Sequence, residues 1–377
     1  MSNTVRTVWL AAGLVALSGG AFAARPAAPG TMANPLRIGM LADSIGNRAF
    51  LGTVEFKVTN SSRETMRIPS WQLPTGVLQQ NLFEVHYNGK PVRYTGPMIK
   101  RAAPTEADLI TLRPGESRLV TVDLSTAYDL SRGGEYTVKF RSYLQGARSG
   151  SGRMVAARNG GLAKVESAPL RLWVDASNPV MRLKNGDGRV GIQARKPPTG
   201  GGGTVVNGVT YVGCSSTQIN GAGSAVNAAR NYSENAKGYL AGSTVGARYT
   251  TWFGAYTSTR WNTAKSHFVS IDSAMDQSAG QIKINCGCNQ SYYAYVYPTQ
   301  PYQIYVCRAF WSAPNTGTDS KAGTLIHEMS HFNAVAGTDD HVYGQSGAKS
   351  LAISDPTKAL NNADNHEYFA ENTPNQN

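Results

Sequence analysis

Two histidines four residues apart, with a glutamate beside the first, constrain the stretch Gly323–Gly344 more tightly than any other part of the chain. On an α-helix His327 and His331 lie one above the other, so both imidazoles can reach one metal ion. Zinc suits such a pair, because it takes three protein ligands and keeps a fourth position for water. Glu328 sits about 100° round the helix from His327 and can act on that water as general base. The plainer alternative is a solvated helix face, and three local features weigh against it. Thr318, Asp319 and Ser320 supply N-cap chemistry upstream. Ala322, Leu325, Ile326 and Met329 recur at helical spacing and give the helix a buried face. Ala336-Gly337 is expected to stop the helix and turn a later side chain back to the metal. Spacing leaves the third ligand open. Gly337 stands where a metzincin histidine is required; Asp340, nine residues after His331, and the more distant Glu367 remain.

Residues 337–344, GTDDHVYG, fit the pattern G-T-x-D-x-x-Y-G. With RYTTWFGAY (248–256), AYVYP (294–298), APNTGTDSKAGTLIHE (313–328) and NADNHEYFAEN (362–372), they make roughly residues 210–377 resemble the aspzincins, the deuterolysin and peptidyl-Lys metalloendopeptidase family. The resemblance implies one catalytic Zn2+ held by His327, His331 and Asp340, with Tyr343 stabilising the oxyanion. It also implies protein and peptide substrates, and an S1′ pocket lined by Asp364 and Glu367. Three apart on a helix, those acids share a face, and two carboxylates can share the three donors of a lysine ammonium. Cleavage on the amino side of lysine is then expected. The alternatives are a deuterolysin-like endopeptidase of broader specificity and, from another class, a surface-binding or adhesion protein with an inert metal site. The intact Glu328 argues against the last.

The rest of the chain frames this segment. Residues 1–23 read as a secretory signal peptide, with Arg6, the apolar run Val8–Leu17 and the A-x-A site Ala21-Phe22-Ala23. The apolar run is too short to span a bilayer, so the protein is expected to be secreted, with no membrane span. Residues 24–175 read as a β-sandwich-like pro-region, an intramolecular partner for the catalytic domain. Val54, Phe56 and Val58 alternate with polar residues, Asn88-Gly89 marks a hairpin, and strands are expected at 109–112, 119–124, 136–140 and 170–174. No catalytic constellation is evident there. Residues 176–209 read as a Pro/Gly-rich linker exposed to proteolysis, and Lys196 is the lysine in it that a protease could reach. Residues 210–377 form the catalytic domain. The fold class expected is α+β: an all-β pro-region, then a mainly helical zincin-like domain with a small sheet.

Charge divides at the linker. Of 36 Lys+Arg and 24 Asp+Glu, residues 205–377 hold 10 and 11, leaving 26 and 13 to residues 1–204. The basic residues are dispersed without a dense run, which argues against nucleic acid. They suit a pro-segment complementing an acidic cleft, or an anchor to acidic polymers. A monomer is expected. All four cysteines follow the linker, and an even count in an exported chain reads as disulfides. Cys286 and Cys288 are too close to pair with each other; the resemblance selects Cys214–Cys286 and Cys288–Cys307.

Within 210–377, Val226, Ala229 and Ala236 mark one amphipathic helix, and Trp261, Ala264, Phe268, Ile271 and Met275 a second. Strands are expected at 281–285, 292–297 and 302–306. Residues 292–297 are the candidate edge strand for holding an extended peptide. Helices are expected at 345–354 and from Pro356 onward.

Overall fold

A computed structural model describes residues 30–42, 51–177 and 203–377. The expected signal peptide and Lys196 lie outside the described residues. The chain is α+β, as expected: an N-terminal β region, then eight α-helices and a mixed sheet among the described residues. The helices are α1 (Ser216–Ala241), α2 (Ala247–Phe253), α3 (Ser258–Met275), α4 (Arg308–Ser312), α5 (Lys321–His331), α6 (Gly344–Ser354), α7 (Pro356–Leu360) and α8 (Ala363–Glu371).

The N-terminal residues form three sheets over one apolar core that includes Phe56, Phe83, Val138 and Phe140. Strand Thr53–Asn60 lies between Leu36–Ala42 and Ser117–Asp123. Gly134–Tyr143 pairs with Phe83–Tyr87, Lys164–Glu166 and Leu170–Val174. The Asn88-Gly89 turn closes as read, with both residues at positive φ, 49° and 73°, the backbone that suits the twist of a two-residue hairpin.

The sheet of the C-terminal half runs Thr204–Val206, Val209–Val212, Lys283–Asn285, Gln303–Val306, Ala294–Val296 and finally Met98–Lys100. Two features depart from the sequence reading. The expected linker ends earlier than residue 209, because Asn207 and Gly208 (φ 48° and 77°) turn a hairpin that joins the sheet. The sixth strand comes from the N-terminal region: Met98–Lys100 pairs antiparallel with the edge strand Ala294–Val296, placing Ile99 opposite Tyr295 and Lys100 opposite Ala294. The two disulfides are Cys214–Cys286 and Cys288–Cys307.

Below the sheet α5 packs against α1, α3 and α8. The expected last helix is two: α7 ends at Leu360, and Asn362 begins α8 after turning its side chain to other duties. Between α3 and α8, His267 Nδ1 meets His366 Nε2 at 2.9 Å. Burial pushes the His267 imidazole down to about 4. A pKa depressed below its unfolded value of about 6.5 withdraws stability as pH falls through the window between them. A His267→Gln variant should therefore gain on the parent chain between about pH 6.5 and 4, while keeping a donor for His366. Denaturant midpoints measured on both chains across that range check it.

Candidate metal and substrate site

Helix α5 is built to hold charged groups in the interior. Ser320 caps it, its Oγ accepting from the Gly323 amide at 2.9 Å, and residues Ala322–His331 are all buried. Glu371 at the end of α8 accepts from the Ser320 amide (2.9 Å), the Ser320 hydroxyl (2.7 Å) and the Asp319 amide (3.2 Å). Gly323 makes room for it: a Cβ there would collide with the Glu371 carboxyl. The helix ends at His331, earlier than the expected stop at Ala336-Gly337. Phe332 leaves helical geometry, and Gly337 at φ 61° turns the chain back. The Thr338 amide then bonds Ser330 O at 3.1 Å.

That return delivers Asp340. His327 Nε2, His331 Nε2 and Asp340 Oδ1 form a triangle with sides of 3.1, 3.2 and 3.5 Å. Ligands about 2.0–2.1 Å from one tetrahedral zinc stand roughly 3.3 Å apart, so the spacing fits. The chemistry fits as well. His331 Nδ1 lies 3.0 Å from Thr338 O, a partner that can only accept, so the proton sits there and Nε2 presents a lone pair. His327 Nδ1 faces two carboxylates, Asp364 Oδ1 at 2.8 Å and Glu367 Oε2 at 3.4 Å, whose charge favours the proton on that side. Two lone pairs 3.1 Å apart repel unless a cation lies between them, and Asp340 Oδ1 is buried without a hydrogen-bond partner beside them. Carboxylate–histidine–metal relays of the His327–Asp364 kind orient a ligand and fix its tautomer.

Glu328 is fully buried and both its oxygens lack partners. Burial pushes its carboxyl up to about 7, against the pull of His327 and His331. Tyr343, at the far end of the Asp340 loop, also keeps an unpartnered buried hydroxyl.

Asp364 and Glu367 do lie together on one face, as their spacing implies, and neither is open to solvent. Both are buried to within 1% on α8, against His327. Their partner is Lys100. Its ammonium stands 2.5 Å from Glu367 Oε2, 3.7 Å from Asp364 Oδ1 and 3.6 Å from Asp319 Oδ1, with the Tyr293 ring 5.1 Å away. Burial works against that ammonium, yet Asp364, Glu367 and Asp319 outweigh it and hold its pKa well above the usual value. Glu367 approaches His327 at Nδ1 (3.4 Å), the side away from the triangle. A second cluster of potential metal ligands, His327, Asp364 and Glu367, thus already holds a cation.

The N-terminal region, read as having no catalytic constellation, closes over this site. The Ile99 amide donates to Asp340 Oδ2 at 3.0 Å, and the Tyr293 amide to Lys100 O at 3.0 Å. Gln80 donates to Asp340 O (2.9 Å) and Asn81 to Asp339 Oδ2 (2.8 Å). Arg141 reaches Asp339 at 3.4 Å. Gln145 takes the Tyr343 amide at 2.8 Å and donates back to the Tyr343 carbonyl. From inside, Asn362 Oδ1 accepts the His341 and Val342 amides at 2.7 and 3.2 Å. Gln80, Asn81, Ile99, Lys100, Arg141 and Gln145 carried no site signal in the sequence, whereas Tyr293 lies in the expected edge strand and Asn362 in the NADNHEYFAEN likeness.

Two histidines on one helical turn, an aspartate converging on them and a buried glutamate alongside form a candidate metal centre with a carboxylate beside it. The sequence model of a family described as "Lysine-specific metallo-endopeptidase" matches residues 239–371. An extracellular protease of Aeromonas hydrophila is 44% identical over 328 residues, covering 86% of this chain and 89% of that one. A peptidyl-Lys metalloendopeptidase of Grifola frondosa is 35% identical over 339 residues, 89% and 84% of the two chains. The solved structure of a zinc peptidase from Grifola frondosa, 46% identical, covers 44% of this chain and 100% of its own, with a TM-score of 0.42. The chain belongs to the aspzincin metallopeptidases and is a zinc metalloendopeptidase.

Proposed function

We propose that this chain is the latent precursor of a secreted endopeptidase that cuts on the amino side of lysine, and that residues 24–175 are its inhibitory pro-region. The observation that carries the reading is Lys100, the only lysine or arginine among the described residues within 4 Å of Asp364 and Glu367. It sits on a strand that adds to the sheet edge as an extended substrate does. A chain entering in that way leaves the Ile99–Lys100 bond beside Asp340, with the lysine in an acidic pocket. Secretion is supported by the basic, apolar and A-x-A pattern of residues 1–23 and by the extracellular relative.

His327, His331 and Asp340 would hold the zinc, which supplies a Lewis acid and an acidified water when bound. Glu328, free of hydrogen bonds and with a proton affinity raised by burial, accepts a proton from the attacking water and passes it to the leaving amine. Tyr343 donates its hydroxyl to the carbonyl oxygen as charge develops there. Asp364 and Glu367 seat the lysine ammonium and fix the bond to be cut.

Peptides released from a denatured protein mixture by the processed enzyme should begin with lysine when sequenced by mass spectrometry; N-termini without lysine overturn the specificity. Glu328→Gln should retain zinc and lose turnover by about 10²–10⁴, the range for general acid–base catalysis. Substantial activity in that variant removes the base role. Tyr343→Phe should cost about 10²–10³ in kcat, the loss for one oxyanion donor, and an unchanged kcat would free Tyr343 from that role.

A further inference from the structure

The strand Met98–Lys100 occupies one more position, on the opposite face of the sheet from the acidic pocket. Side chains alternate along a strand and cross-strand partners share a face. Lys100, opposite Ala294, points to the helix side, where Ala294 and Val296 are fully buried. Ile99, opposite Tyr295, points the other way. There it is 3% exposed and belongs to a small apolar cluster with Tyr295, Tyr305 and Cys307 that is separate from the main core. The rings of Tyr295 and Tyr305 lie parallel, 4.6 Å apart with 5° between planes. Tyr292 and Tyr297 stand edge-on to Tyr295 at 6.1 and 6.0 Å. The Cys288–Cys307 disulfide joins this cluster. The aromatic shelf beside the Ile99–Lys100 bond is apolar at its centre, and the Arg101 guanidinium, from the same N-terminal strand region, stands 5.9 Å from the Tyr292 ring at its rim.

We propose that Tyr295, flanked by Tyr292, Tyr297 and Tyr305, forms the S1 subsite and selects an apolar side chain, such as isoleucine, valine or phenylalanine, on the residue before the cleaved bond. The assignment rests on the reading of Lys100 as an occupant of S1′, since Ile99 then stands at P1. Its substrate class is narrower than lysine alone: apolar–Lys bonds ahead of Asp–Lys, Glu–Lys or Gly–Lys bonds. An apolar residue gains by covering the rings, whereas a carboxylate there loses water without gaining a partner. One apolar side chain in a pocket discriminates by about 10–200-fold. Tyr292 and Tyr297 at the rim of the shelf are only half-buried, so the low end of that range is expected.

The test uses active enzyme released from the full-length precursor, with two series of synthetic peptides. One varies X in Ala-Ala-X-Lys-Ala-Ala, and the other varies Z in Ala-Ala-Ile-Z-Ala-Ala, with kcat/KM measured for each. The expected result is at least about tenfold between Ile and Asp or Gly at X. In Tyr295→Ala that ratio should fall to near threefold or less, with the preference for Lys at Z unchanged. A flat X series in the unaltered enzyme overturns the shelf whatever the Z series gives. A Z series without lysine preference overturns the S1′ reading instead. The unaltered enzyme decides the matter even if Tyr295→Ala fails to fold, and Tyr297→Ala, at the rim, should give a smaller loss of the ratio.

Discussion

A precursor carrying Lys100→Ala will cleave a lysine-containing reporter while its N-terminal region is still attached, roughly 10²-fold or more faster than the unaltered precursor. The reason is the balance at the pocket. Lys100 is 1% exposed and lies against two buried carboxylates. Removing one member of such a group costs about 3–5 kcal/mol, because the others stay buried without a counter-charge. That cost falls on the closed state alone; in the open state water or a substrate lysine reaches the acids. The three-residue strand pairing and the contacts of Gln80, Asn81, Arg141 and Gln145 are then left to keep the cleft shut. Lys100→Arg should lie between the two, since a guanidinium keeps the charge but not the compact shape. Activity is read at early times, with intact mass recorded to exclude processed chains. A Lys100→Ala precursor as silent as the parent would move the origin of latency elsewhere. Because the neighbouring acids raise the Lys100 pKa well above its usual value, mildly alkaline pH should not relieve the block.

The second large effect concerns the metal. Asp340→Ala should reduce zinc content from near stoichiometric to a small fraction and abolish turnover. It removes the oxygen that faces both Nε2 atoms, at 3.2 and 3.5 Å. Glu367→Gln should keep its zinc, since Glu367 meets His327 at Nδ1, and should lose cleavage before lysine. Metal analysis by mass spectrometry on both variants separates the roles; zinc lost from Glu367→Gln and kept by Asp340→Ala would exchange them.

Local signals carried the reading as far as local signals reach. The helix of His327 and His331, the Asn88-Gly89 turn and the strands 109–112 and 170–174 are written in periodicity and turn chemistry. The Asn207-Gly208 turn was equally legible, with Val205, Val206 and Val209 beside it, yet the glycine run before it reads as linker. Lys100 is a different matter. In Met-Ile-Lys-Arg it looks like any dispersed basic residue, and its meaning comes from pairing with acids more than 200 residues away. No spacing rule encodes such a partner. Burial of Asp364 and Glu367 was hidden for the same reason: on an isolated helix two acids belong in water, and only a cation from another part of the chain reverses that. Lys196 drew attention because its surroundings look exposed, whereas the lysine seated at the site is one that folding encloses.

The strand pairings of the N-terminal region determine what a break in the backbone at Ile99–Lys100 can achieve. Thr53–Asn60 is zipped to Ser117–Asp123, Met66–Pro69 to Leu109–Leu112, and Phe83–Tyr87 to Gly134–Tyr143. Each ladder joins a partner before the bond to one after it. A chain nicked there should run as two fragments on a denaturing gel and elute as one particle on a sizing column. Covalent integrity and quaternary integrity are then separate variables, and an assay that counts cut chains will overstate the number of open clefts. On the latency proposed above, freedom for the cleft requires that the whole β region depart, carrying both halves of the severed strand with it.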